Sequence, residues 1–144
     1  MARVAKDPQL AAKHVAHEIR MLQRAWKNRG DALAYTAWFL HCRNLMKFFD
    51  NRGKSDEVRV AAYLGGVETE WRRGVAAIAK PADFGAYETA CNKLAAHLTW
   101  DRVDTKWTKY PPSAEITEYL LGLSLLLLRV LPPQRVVWFG GVFT

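Results

Sequence analysis

Apolar residues recur along this chain at three- and four-residue steps, and short polar or glycine-rich breaks separate the runs. That spacing is the signature of amphipathic helices, because residues three and four apart share one face of a helix. Asp7-Pro8 is a helix start, with Asp as the cap and Pro at the first helical position. The first helix is predicted from Pro8 to about Lys27 and ends at Asn28-Arg29-Gly30. Leu10, His14, His17, Met21 and Ala25 mark one side of it, and Ile19, Leu22 and Trp26 lie on adjacent faces. Asp31 can cap a second helix that runs to Asn51-Arg52-Gly53. So short a connection makes the two helices antiparallel neighbours.

Ser55-Asp56-Glu57 is a third start signal, opening a short helix that Gly65-Gly66 interrupts. A further segment spans 67–79 and contains Trp71-Arg72-Arg73-Gly74. Pro81-Ala82-Asp83 restarts a helix in which Phe84, Tyr87, Cys91, Leu94 and Leu98 form one stripe. Residues 104–110 read as a polar and aromatic loop. Pro111-Pro112-Ser113 opens the last helix, which Pro132-Pro133 stops after Leu131. The tail 136–143 is too apolar to stay in water and is expected to dock on its own bundle or on another subunit.

The expectation is therefore an all-α, single-domain bundle of four to six helices over 1–144, with a core over about 8–131 and a tail from 132 to 144. Its 144 residues suffice for one proper core. Half of them are hydrophobic, which excludes a disordered chain. No internal repeat or second domain is evident. The apolar run 119–131 carries Arg129 and is too short for a membrane span, so it reads as a buried core helix. The N-terminus lacks the apolar stretch of a secretion signal. Cys42 and Cys91, in apolar helical contexts, read as buried thiols in a reducing compartment, so a cytoplasmic location is expected.

Charge and polar residues in apolar faces supply the candidate chemistry. Lys plus Arg outnumber Asp plus Glu by 21 to 14, giving +7, a balance that favours anionic partners such as RNA. Two stretches set polar groups into apolar helical faces. In the first, residues 38–49, His41 and Asn44 share the broad face of Trp38, Leu45, Phe48 and Phe49, with Arg43 on the other flank beside Phe39 and Lys47. In the second, residues 92–102, Asn92, His97, Trp100 and Arg102 do the same. Such groups need partners, and the economical solution is that the two stretches meet. Arg20, Arg24, Lys27 and Arg29 form a basic run at the end of the first helix; with Arg43, Lys47, Arg52 and Lys54 they would make one end of the hairpin positive, and a base could stack on Trp26. His14 and His17 lie three apart, but a helical metal site wants several carboxylates and only Glu18 is close in sequence, so neither a metal nor another cofactor is expected. No phosphate-binding glycine loop or nucleophile motif occurs.

Phe39-Leu40-His41, Arg43-Asn44-Leu45 and, further on, His97-Leu98-Thr99-Trp100 with Arg102 and Trp107 resemble a group of bacterial helical proteins that looks like part of the HEPN superfamily. The resemblance spans 34–107. It implies a small helical bundle, often dimeric, and in many members a metal-independent ribonuclease of a defence or toxin–antitoxin type. The family signature is an Arg followed closely by a catalytic His. Here no Arg has a His within the next seven residues, and Asn92 and Lys93 stand where the Arg is expected. Two readings stay open. In one, the protein binds RNA and cleaves it. His97 then takes the ribose proton, because imidazole titrates near neutrality, and the Arg43 fork holds the phosphate. His41, Asn44, Arg102, Trp100, Lys47, Arg24 and Lys27 would bind the strand. In the other, it is a non-catalytic interaction module, a homodimer or the partner of another protein, and the same polar residues tie helices together.

Overall fold

The computed structural model describes residues 7–50, 58–96 and 110–140, and the side chains of 94–96 are outside that description. Every described element is helical: α1 (Pro8–Lys27), α2 (Ala32–Phe49), a 3-10 turn (Val60–Tyr63), α3 (Glu68–Ala77), α4 (Phe84–Ala96), α5 (Ala114–Val130), α6 (Pro133–Val136) and a closing 3-10 turn (Val137–Phe139). The chain is thus an all-α bundle, with no strand among the described residues. None of the described helices is long and apolar enough to cross a membrane.

Local chemistry sets the helix ends. Asp7 Oδ1 accepts the Gln9 N–H at 2.9 Å, and Pro8 follows it. At the other end of α1, Asn28 Nδ2 donates to the Arg24 carbonyl at 2.9 Å. Asp31 caps α2 by accepting from the Leu33 and Ala34 N–H groups. Ser113 caps α5 by accepting from Ile116 N–H. These bonds satisfy N–H and C=O groups that a helix end leaves orphaned.

α1 and α2 form the predicted antiparallel hairpin. α4 packs on α2, and α5 packs on α1, α2 and α3. The first helix buries Ala12, Val15, Ala16, Ile19, Leu22 and Ala25, while His14 and His17 stay exposed along the border of that face. On α2 the buried arc includes Phe39, Cys42 and Met46 as well as Trp38, Leu45 and Phe48. It is wider than the predicted face, because α4 covers the flank that periodicity leaves beside Arg43 and Lys47. Cys91 of α4 and Cys42 of α2 are both fully buried, and burial next to Cys91 pushes the Cys42 thiol well above its ordinary pKa. At the centre, Trp38 Nε1 donates to Thr117 Oγ1 at 2.8 Å, and that hydroxyl donates to the Ser113 carbonyl at 2.7 Å. The polar atom of the deepest aromatic is therefore satisfied.

The structure redraws the middle of the element map. α2 stops at Phe49 rather than at Asn51–Gly53. The start signal at Ser55-Asp56-Glu57 lies outside the described residues, and the next element is a single 3-10 turn before Gly66, whose φ of +84° turns the chain. The predicted 67–79 segment is a regular helix, α3, despite Gly74. That glycine lets α3 approach α5 closely, since a Cβ there would lie 2.4 Å from Leu126 Cδ1.

The tail docks on its own bundle as far as it is described. Phe139 is buried against Tyr63, with ring centroids 5.1 Å apart. Arg135 Nη1 donates to the Tyr63 and Gly65 carbonyls at 3.0 and 2.6 Å. Tyr63 Oη in turn donates to the Pro8 carbonyl at 2.8 Å, so the C-terminal strap and the start of α1 close on one ring. Val137 points outward and is 72% exposed. Residues 141–144 lie outside the description.

Candidate functional site

The antiparallel register brings Glu18 of α1 opposite His41 of α2. Glu18 Oε2 and His41 Nδ1 lie 2.6 Å apart, and the two side chains are 24% and 12% exposed. Burial pushes the Glu18 carboxyl up. Hydrogen bonds from His41 and Asn44, with the imidazoles of His41 and His17 nearby, outweigh that effect and hold it below the ordinary carboxylate value. Glu18 is thus ionised at neutral pH and can only accept, so Nδ1 is the protonated nitrogen and donates to it. Nε2 of His41 takes no part in this bond. The His17 ring stands edge-on to the His41 ring, with centroids 6.5 Å apart.

From Glu18 the polar contacts continue across α2. Asn44 donates to Glu18 through its amide nitrogen, so its Oδ1 is the acceptor for Arg43 Nη1 at a long 3.5 Å. Arg43 Nε donates to Asn92 Oδ1 of α4 at 3.3 Å. One chain of polar side chains therefore ties α1, α2 and α4: His41, Glu18, Asn44, Arg43, Asn92. Asn92 opens the second polar stretch of the sequence, and it meets the first through Arg43. His97, Trp100 and Arg102, the rest of that stretch's candidates, lie outside the described residues, as do Trp107, Arg52 and Lys54.

No protein-family model matches this chain, and neither does any curated protein or solved structure.

Two grooves flank the Glu18–His41 bar along the seam. One, of about 280 Å³, runs toward the loop between Met21, Arg24 and Asn28 on α1 and Leu33, Ala37 and His41 on α2. The other, of about 160 Å³, runs the opposite way, with His14 and Glu18 facing Asn44, Phe48 and Val58. Beside the seam, Lys13, Arg20, Arg24 and Lys27 are exposed on the solvent side of α1 with His14 and His17. Their spacing places the cations in one stripe.

The stripe differs from the predicted positive hairpin end. Antiparallel pairing puts Arg24, Lys27 and Arg29 at the loop end, whereas Lys47 sits in the last turn of α2 at the other end. The rise per residue separates Arg24 from Lys47 by about 20 Å. Trp26 offers no open face for a base at its guanidinium-covered side: Arg29 lies 3.8 Å over the ring, and its Nη1 donates to the Trp26 carbonyl. Among the described residues no group of three or more His, Cys, Asp or Glu is disposed to hold a metal.

Glu18 is the member to which sequence reasoning gives no role in the site; Asn92 is expected to need a partner, which the sequence does not name. The signal for Glu18 is the register of the hairpin. Once Asn28 and Asp31 are taken as the helix ends, counting back along each helix pairs residue 18 with 41. No equivalent local signal exists for Asn92, whose partner depends on how α4 docks.

Proposed function

We propose that this chain binds RNA along the α1–α2 seam and cleaves it without a metal, as an HEPN-like helical protein of a defence or toxin–antitoxin type. The carrying observation is the carboxylate-held imidazole set between two grooves and beside a cationic stripe. The stripe of Lys13, Arg20, Arg24 and Lys27 supplies phosphate contacts. Glu18 fixes the His41 tautomer and leaves Nε2 as the accepting nitrogen, the role a third group plays in orienting a catalytic base. His41 Nε2 then takes the proton of a ribose 2′-hydroxyl. The oxygen attacks the adjacent phosphorus, the 5′-oxygen leaves with a proton from an acid or water, and a 2′,3′-cyclic phosphate remains. Arg43, on the α4 side of α2 and held at Nε by Asn92, has donors left for a phosphate of the same strand. His97 is the alternative base, or the acid of the same step.

Labelled single-stranded RNA tests this by filter binding across a salt series and by gel assay in chelator. Binding is expected to fall steeply with salt. His41→Gln is expected to lower cleavage by about a hundredfold or more while RNA is still retained. Absence of retention at low salt would remove the whole reading. Retention without cleavage would remove the catalytic part.

A second reading is a non-catalytic interaction module, acting as a homodimer or with a partner protein. It is favoured by apolar side chains left on the outer face of α2, where Leu33 is 83% exposed and Leu40 is also open. Light scattering and pull-down separate the two: a monomer that retains RNA and captures no protein counts against it.

A further inference from the structure

The seam groove of about 280 Å³ extends from His41 to the α1–α2 loop, where Asn28 and Asp31 close its far end. We propose that this far end is a base pocket that selects guanine in single-stranded RNA, an inference that rests on the RNA reading. The groove exists because α1 and α2 meet there through small side chains. Ala25 on one helix and Ala34 and Ala37 on the other leave room that longer residues would fill. Met21 and Leu33 stand along it. This lining is open rather than packed on itself: Leu33 is exposed, and Met21, Ala34 and Ala37 are only half-buried. An apolar trough of this size holds one base, since sites for larger ligands run from roughly 300 Å³ upward. The faces of an unstacked base are apolar and suit such a floor.

The polar groups at the loop end choose the base. Asp31 Oδ1 accepts the Leu33 and Ala34 N–H groups at 2.9 and 3.2 Å, which uses both lone pairs of that oxygen. Among the described residues Oδ2 accepts no hydrogen bond and no cation pairs with the carboxylate. It is therefore an anionic acceptor left at the groove. Asn28 gives one amide hydrogen to the Arg24 carbonyl and keeps the second. The pairing edge of guanine fits this set. Its N1–H and N2–H are adjacent donors for Oδ2, and O6 beside them accepts from Asn28. The carboxylate makes those bonds stronger than neutral ones. Adenine and cytosine carry a ring-nitrogen acceptor beside the amino group, which the carboxylate repels, and uracil offers one donor between two carbonyls. Arg24, exposed at the rim, stays with the phosphates. Asp31 lies about 15 Å along α2 from His41, so one strand in the seam reaches both.

The test uses the full chain and a set of short single-stranded RNAs. All are uridine strands that differ at one central position: guanosine, adenosine, cytidine, uridine or inosine. Fluorescence anisotropy at low salt gives the affinities. The guanosine strand is expected to bind about tenfold tighter than the other natural strands. The inosine strand, which lacks the N2 amine, should bind about fivefold more weakly than guanosine. Asp31→Asn and Asp31→Ser both keep a side-chain oxygen for the α2 cap, so their melting temperatures should stay close to wild type. Asparagine turns an amide donor toward the base, and serine offers no second oxygen. In both, the guanosine preference should shrink to about twofold or less, while the all-uridine strand binds at least as tightly as before because a negative charge is gone. RNA binding without a guanosine preference, inosine bound as tightly as guanosine, or a preference that survives in both variants would overturn the guanine pocket and leave the RNA reading standing. Absence of binding to every strand would overturn both.

Discussion

Arg43 on α2 and Asn92 on α4 are joined by an Nε–H···Oδ1 bond of 3.3 Å, and this one contact links the two polar stretches of the sequence. It also holds the arginine of the polar chain in place beside Asn44. Cys42 and Cys91, one residue earlier on each helix, are buried in the core behind it. The α2–α4 register is thus set by packing inside and by a charged hydrogen bond at the margin.

Asn92→Ala removes that acceptor but leaves Arg43 half in water, so its cost should be modest, about 1 kcal/mol in a denaturant melt. RNA affinity should fall as well if Arg43 is a phosphate ligand, because an untethered guanidinium loses its aim. Arg43→Ala should weaken RNA binding more than Asn92→Ala does. Equal affinities for wild type and Arg43→Ala would take Arg43 out of the interface.

Glu18 makes stability depend on acid. Its folded pKa is below the ordinary 4.5, so its ion pair and hydrogen bonds stabilise the fold above that value and are lost as pH falls through the folded pKa. Glu18→Gln should therefore melt earlier than wild type at neutral pH, by roughly 1–2 kcal/mol, with the gap closing as pH falls through the folded pKa. Thermal melts of both proteins across that range check it. A gap that does not change with pH would show that the carboxyl gains nothing from His41 and Asn44.

Thr117 is the acceptor for the buried Trp38 indole. Thr117→Val keeps the shape and strands the N–H, at a cost of about 1–3 kcal/mol. Thr117→Ser keeps the hydroxyl and should recover most of that loss. The pair of urea melts separates the hydrogen bond from packing, since serine loses the methyl group and valine does not.

Gly74→Ala sets helix propensity against space. Alanine favours a helix interior by about 1 kcal/mol. The added Cβ would meet Leu126 Cδ1 at 2.4 Å and Cδ2 at 2.9 Å, and Leu126 is buried, so its methyl groups have little room to move. Overpacking of that kind costs about 1–3 kcal/mol. The net expectation is destabilisation, with a lower melting temperature. A higher one would mean that α3 and α5 separate easily.

The sequence by itself determined the helices whose ends are written in local residues. Asp7-Pro8 and Asn28 delimit α1, Asp31 starts α2, and Ser113 starts α5, because a cap depends on groups within four residues of itself. The antiparallel hairpin follows from the short link between Asn28 and Asp31, and with it the approach of Glu18 to His41 becomes countable. What only the tertiary structure decided is which long-range partner each face meets. Phe39, Cys42 and Met46 are core because α4 covers them, and Arg43 turns to Asn92 for the same reason. The basic residues of the hairpin part to opposite ends, since antiparallel packing puts the C-termini of α1 and α2 at opposite ends of the pair. A helical period reports that a face is apolar. It carries no information about which distant helix covers that face, because that choice depends on how the whole set of side chains packs together.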